Sequence, residues 1–381
     1  MICYFDNAAS TRPYDEAVEL YAKLLTTEYA NPSALHSFGY EAMKLVEAAK
    51  KEVTSIHDLK DFEPIFTSGA TESVNLAIKG TIDKFADIRK THIITTGIEH
   101  ACVTNTCLYL EEKGASVTYL PTDSLGRIDI ADLTDAINEH TKIVSVIWVN
   151  NETGIVQDIE AISRAVKAKD PGILVHLDAT QGFGKIPQDL SCADLISVSA
   201  HKFLGMKGIG ILYIRKGVHI NGIMKGGGQQ DDLRSGTINA PMIAALGKTV
   251  SMTDPVRISA AMLPVRDRLY DSLTEAFGED AVNSKIRQAD YAPHILNVSF
   301  PGLKGEVILH MLEQKGIYIS TSSACSSRKK KKSVLEHMGF SQERINGTIR
   351  ISISEFTTFE EADCLIKELK SAVELLKGLR G

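Results

Sequence analysis

Short apolar runs alternate with amphipathic stretches through the first two-thirds of the chain. FEPIFT, HIITT, SVTYL, KIVSVIWVN, ILVHLD, DLISVSA and GIGILYI read as strands, because each is a brief Ile/Val/Leu-rich run ending in polar or turn residues. Helical periodicity fills the gaps: from about Glu72, from about Cys102, over ADLTDAINEH, and around Ile159 to Lys169. This order predicts an α/β fold with a large, doubly wound, mostly parallel sheet. Helices cover both faces, and ligands lie at the carboxyl ends of the strands. Ahead of the first strand, Pro13 follows Ser10 and Thr11 as the first helical position of a segment reaching about Tyr29. NPS at 31–33 breaks it, and a second helical pattern ends near Asp58.

The pattern changes after the glycine-rich KGGGQQDD, 225–232. A helical stretch from about Pro241 to Phe277 leads into HILNVSF, a helix around Gly305 to Gln314, GIYIS, GTIRISIS and a terminal helix from Thr358. These elements predict a smaller α+β unit, with the change near residue 255. The expected division is a large domain over 13–255 and a small one made of 1–12 and 256–381.

Composition narrows the function classes. With 381 residues, 44% hydrophobic and 24% charged, the chain reads as an ordinary globular protein of two domains. A formal net charge of −6 argues against a general nucleic-acid binder. MICYFDNAAS lacks a signal-peptide pattern, and no apolar run approaches membrane-spanning length. Cys3, Cys102, Cys107, Cys192, Cys325 and Cys364 show no CxxC spacing, which argues against a structural zinc site or a secreted disulfide framework. A cytoplasmic protein is expected.

Candidate chemistry centres on VHLDATQGFGKIPQDLSCADLISVSAHKFLG, 175–205. Asp178 closes one strand run and Lys202 follows the next. A lysine facing a carboxylate across neighbouring strand ends suits pyridoxal 5′-phosphate (PLP): the lysine holds the cofactor as a Schiff base and the carboxylate keeps its pyridine nitrogen protonated. A strand-end salt bridge accounts for the same two residues. FTSGATES, 66–73, offers a helix N-terminus and Thr71 to a phosphate, or merely a capped helix. His100 follows the strand HIITT, and VNNETG ends another strand with adjacent amides or a simple polar turn. Ser199 and His201 precede Lys202, while Arg234 and Thr237 follow a loop that could reach a neighbouring subunit or remain an exposed linker. Cys325 lies among small hydroxyl residues, just ahead of Arg328–Lys332. Nearby positive charge lowers a thiol's pKa, whereas the basic run alone reads as a solvated face.

The ordered set DNAAST, NPS with His36, TSGATES, EH, VNNETG, HLDATQGFGK, SAHKFLG, GGGQQ with RSGTIN, SSACSS and RISIS resembles the NifS/IscS-like cysteine desulfurases. These belong to the class V aminotransferase group of type I fold PLP enzymes, and the resemblance runs nearly end to end. It implies that Lys202 bonds the cofactor and shuttles protons, that Asp178 pairs with the pyridine nitrogen, and that Gln181 bonds the ring hydroxyl oxygen. His100 would stack on the ring and assist proton transfer. Ala70 through its backbone, Thr71, Ser199 and His201 would hold the phosphate, with Thr237 from a partner subunit. Asn151, also beside the cofactor, and Arg350 would receive the substrate carboxylate.

Cys325 would take the sulfur of L-cysteine as a persulfide, leaving L-alanine, and pass it to an acceptor. The acceptor would be an iron–sulfur scaffold or a tRNA-thiolating enzyme. The resemblance further implies a homodimer without direct nucleic-acid or membrane binding. No intrinsic metal is expected, although Cys325 could transiently ligate an iron–sulfur cluster. Alternative readings are a lyase or desulfinase acting on selenocysteine or cysteine sulfinate, and a PLP-fold scaffold without catalysis. The chain departs from the family pattern at Val74, Met206, Lys332 and the pair Ser354–Glu355.

Overall fold

The computed structural model describes residues 2–321 and 332–379; Cys325 and Arg328–Lys331 lie outside the described residues. Strands in chain order are β1 (Cys3–Tyr4), β2 (Phe62–Thr67), β3 (His92–Thr96), β4 (Ser116–Leu120), β5 (Thr141–Ile147), β6 (Leu174–Asp178), β7 (Leu195–Ser199) and β8 (Gly210–Arg215). They continue with β9 (Ile295–Ser299), β10 (Ile317–Tyr318), β11 (Ser320–Thr321) and β12 (Thr348–Ser352). Seven form one sheet in the order β2-β8-β7-β6-β5-β3-β4. Strands β3 to β7 run parallel, while β8 is antiparallel to both β7 and β2. The mostly parallel sheet agrees with the Ile/Val-rich runs, whose residues in β3, β5 and β7 are buried almost throughout.

A polar thread crosses this apolar sheet. Ser145 of β5 bonds His176 Nδ1 at 2.8 Å, and His176 Nε2 bonds Ser197 of β7 at 2.9 Å. Burial lowers the pKa of this ring to about 4, partly offset by Asp178, so it is neutral at pH 7. The thread ties β5, β6 and β7 together one turn of the pleat below Asp178.

Antiparallel β11-β12-β9 form a second sheet, and β1 pairs in parallel with β10. Cys3 and Phe5 enter the apolar cluster of this part, with Val265 and Leu269 of the helix Pro255–Phe277, Val298, Ile349 and Leu369 of the terminal helix. A separate cluster under the large sheet contains Trp148, Phe183 and Tyr213. Each fully buried side chain of this size stabilises the fold by about 1.5–3 kcal/mol.

Several boundaries differ from expectation. The helix expected to open at Pro13 runs Asp15–Thr27 with Tyr14 as N-cap, leaving Pro13 outside it. The second helix ends at Val53. The helix expected from Glu72 starts at Ala70, since Gly69 takes the N-cap position. ADLTDAINEH is helical only to Ala136; beyond it Asn138 turns the chain by accepting from the His140 N–H at 2.9 Å. The long helix is two, Ala240–Met252 and Pro255–Phe277, because Asp254 caps Val256 and Arg257 and Pro255 stands at a helix start. GIYIS is split at Ile319 between two sheets.

Candidate active site

Parallel strands deliver their last residues to one edge of the sheet, where a cavity of about 640 Å³ opens. Lys202, at the end of a tight turn after β7, enters it from one side. Asp178, the last residue of β6, enters from below, 2% exposed. Lys202 Nζ donates to the carbonyls of Ala8 at 2.7 Å and Ala9 at 2.9 Å. The N-terminal segment thus reaches the ammonium through two backbone carbonyls. Asp178 accepts from the Thr180 N–H at 3.1 Å.

His100 caps the helix Ala101–Glu112 through Nδ1, which accepts from the Cys102 N–H at 3.2 Å and lies 3.0 Å from Cys102 Sγ. With Nδ1 accepting, the neutral ring carries its proton on Nε2. Its pKa is lowered, first by desolvation; Asp178 acts to raise it and Lys202 to lower it. The ring is nonetheless open to the cavity, placing an exchangeable proton there. Next to it, burial raises the carboxyl pKa of Glu99 to about 8, although Thr96 Oγ1 at 2.7 Å and Ile147 N–H at 2.9 Å both donate to it.

The turn after β2 forms the next part of the lining. Gly69, Ala70 and Thr71 reach the cavity at the start of the helix Ala70–Ile82, whose N-terminus no side chain caps. Glycine is needed nearby: a Cβ at Gly210 would meet Gly69 Cα and Val198 O, each at 2.6 Å. Ser199 and His201 line the same region. His201 is pushed down to about 4 by burial and then by Lys202, Lys207 and Lys185. The GGGQQDD loop is pinned to its own sheet. Gln230 accepts from Phe66 N–H at 2.7 Å and donates to Phe66 O at 2.9 Å, and Arg234 pairs with Glu72 at 2.9 Å. Thr237 is exposed and does not line the cavity of its own chain.

On the opposite wall, Arg350 of β12 donates from Nη1 to Asn151 O at 2.8 Å and from Nη2 to Asp6 at 2.9 Å. Asn151 and Arg350 are thus brought together, as expected. Gln181 Nε2 donates to Ala8 O at 2.9 Å. The structure gathers Ala70, Thr71, His100, Asn151, Asp178, Gln181, Ser199, His201, Lys202 and Arg350 around one cavity. Sequence reasoning missed the Ala8 and Ala9 carbonyls, Thr180 and Cys102. Only the i+2 spacing of Cys102 from His100 carried a signal.

A wider groove of about 790 Å³ lies on the outer side of the N-terminal segment, among Ile2, Arg12 and Phe356. It contains neither Lys202, Asp178 nor His100, so the chemistry belongs to the smaller cavity. Among the described residues no cluster of His, Cys, Asp or Glu could hold a metal ion. Nor, among those residues, is any helix long and apolar enough to cross a membrane.

Among the described residues, Thr180 Oγ1 and Arg350 Nε are buried polar atoms of the lining without a partner. With an uncapped helix N-terminus at one end and a buried carboxylate beneath, the donors fit a phosphorylated heteroaromatic ring. Fold and site together define a PLP enzyme of the type I fold. The chain belongs to the class-V aminotransferase family, whose model matches residues 3–365, and groups with its cysteine desulfurases. It is 40% identical to Cysteine desulfurase IscS of Rickettsia bellii over 384 residues, covering 99% of this chain and 92% of that protein. A solved NifS-like protein superposes with a TM-score of 0.91 at 36% identity, covering 98% of this chain and all of that one. SspA in complex with cysteine superposes with a TM-score of 0.78 at 32% identity, over 93% of this chain and 99% of that one. Enzymes of this family use PLP.

Proposed function

We propose that the protein is a PLP-dependent cysteine desulfurase converting L-cysteine to L-alanine, with the sulfur carried as a persulfide on Cys325. The observation that supports this reading is the facing of Lys202, Asp178 and His100 toward Arg350 across one cavity. When bound, the cofactor supplies an electron sink for the pair released at the substrate Cα. Asp178 would stand against the ring nitrogen, and the N-terminus of Ala70–Ile82, with Thr71, Ser199 and His201, would bind the phosphate. Arg350, buttressed by Asp6, binds the amino-acid carboxylate beside Asn151.

Lys202 Nζ would take and return the substrate Cα proton, and His100, stacked on the ring, would assist that transfer. The Cys325 thiolate attacks the substrate sulfur, so an S–S bond forms as the Cβ–S bond breaks. Proton return to carbon completes alanine, giving a balanced exchange of L-cysteine and enzyme thiol for L-alanine and enzyme persulfide. The persulfide passes to an acceptor protein in iron–sulfur cluster assembly or tRNA thiolation. We assign Thr237 to the phosphate of a partner subunit in a homodimer, residues 13–255 to the large domain, 1–12 with 256–381 to the small one, and the protein to the cytoplasm.

The test is to measure alanine and persulfide formed from L-cysteine by wild type and Cys325→Ala. Loss of both products in the variant, with its visible cofactor band retained, is expected. Undiminished turnover would favour chemistry on selenocysteine or cysteine sulfinate and remove the persulfide step.

A further inference from the structure

Lys185 is buried to 6% exposure, in the turn that also carries Gln181. The turn is tightly built. A Cβ at Gly182 would meet the Trp148 ring at 2.4 Å, Gly184 has φ +73°, and the Lys185 N–H closes onto Gly182 O at 3.0 Å. From this frame Lys185 Nζ reaches Gln181 Oε1 at 3.4 Å. Burial, then the charge of Lys202, sets its pKa well below the lysine range. His201 and His294 also feel its charge. Glu355 lines the same narrow cleft, but its carboxylate is taken by Tyr14 and Arg257.

A purely structural side chain here would serve better as methionine, which fills similar space without desolvating an amine. The hydrogen bonds suggest another use. Ala8 O can only accept, so the amide nitrogen of Gln181 faces it and the amide oxygen faces Lys185. Lys202 donates to the same Ala8 carbonyl. The two lysines are therefore linked through one amide and one carbonyl.

We propose that Lys185 is a positioning residue: by donating to Gln181 Oε1 it locks the amide so that the second Nε2 hydrogen faces the cavity, at the ring hydroxyl oxygen of the bound cofactor. This rests on the cofactor placement proposed above. Without the donor only the Ala8 carbonyl restrains the amide, so its oxygen turns more readily toward that ring oxygen, where two acceptors repel.

The experiment compares wild type, Lys185→Met, Lys185→Gln, Gln181→Ala and the Lys185→Met/Gln181→Ala double variant. For each, PLP affinity, the pH midpoint of the bound cofactor's visible band and the apoprotein Tm are measured. Lys185→Met should bind PLP about tenfold more weakly and shift the pH midpoint, with an apoprotein Tm equal to or above wild type. Lys185→Gln, which keeps a donor, should restore both cofactor readouts. The double variant should bind no more weakly than Gln181→Ala, because both changes remove one interaction. If Lys185→Met does not fold, Lys185→Leu takes its place. A lowered apoprotein Tm with unchanged affinity and midpoint would mean a structural role only and overturn the inference. Wild type that takes up no PLP would remove the underlying reading as well; wild type that binds PLP beside an indistinguishable Lys185→Met would remove this inference alone.

Discussion

The cavity wall that carries Asp178, Ser199 and Lys202 grows from neighbouring strands of one sheet. The wall that carries Arg350 joins segments 344 residues apart in sequence. The first wall is backed by apolar strands and the Ser145–His176–Ser197 thread. The second relies on an N-terminal strap: Asp6 against Arg350, Asn7 against Ser352, and the Ala8 N–H against Ser352 Oγ at 2.9 Å. Cofactor chemistry sits on the wall whose geometry one sheet dictates, and substrate recognition on the wall assembled from several pieces. Changes in the first should alter cofactor state, and changes in the second substrate handling.

The largest effect should come from Lys202→Ala. Turnover should fall on the order of 10³-fold, and the borohydride-sensitive visible band should vanish, read by absorbance and alanine release. A retained borohydride-sensitive band would break the comparison at its root.

On the sheet wall, acid sensitivity should centre on His176. The unfolded-state pKa of His176 is near 6.5 and its folded value about 4, so between those values the unfolded chain binds more protons. Stability fully present above about 6.5 is then lost as pH falls toward 4, on the order of 3 kcal/mol for such a shift. Glu99, raised to about 8, acts in the opposite direction: its contribution is present below 4.5 and lost as pH rises through 8. The gap in Tm between wild type and His176→Gln isolates the histidine and should narrow as pH is lowered.

On the other wall, Arg350→Ala should raise KM for cysteine about 10- to 100-fold, the scale of a lost charge-assisted hydrogen bond, and leave the cofactor band in place. A bleached band instead would mean that the two walls are not separable. The smallest effect should be that of Ser352→Ala, which removes hydrogen bonds to Ala8 and Phe5. A loss of about 1–2 kcal/mol, measured by denaturant unfolding, is expected, with a modest rise in KM and an unchanged band.

The same asymmetry governs what was legible in the sequence. Strands such as HIITT and DLISVSA announce themselves because burial on both faces demands uninterrupted apolar residues, and strand ends then locate Asp178 and His100. The break at Thr253–Asp254 was readable too, since Asp254 before Pro255 is a helix start, but the apolar periodicity on either side hid it. The strap was not readable. Its contacts with Lys202 are backbone carbonyls, which every residue offers alike, so Ala8 and Ala9 carry no chemical label. Lys185 was invisible for another reason: a lysine near a turn reads as a solvent-facing cation until the packing of Trp148 and Phe183 around that turn is known.

The strap also orders events during synthesis. A ribosome delivers residues 3–7 about 300 residues ahead of their partners Ile317–Tyr318, Arg350 and Ser352. The large sheet can form before then, complete with Asp178 and Lys202. Until β12 arrives, the Ala8 and Ala9 carbonyls lack the Ser352 anchor that holds them beside the lysine. A nascent chain should therefore hold the cofactor loosely until β12 has emerged and the strap can meet it.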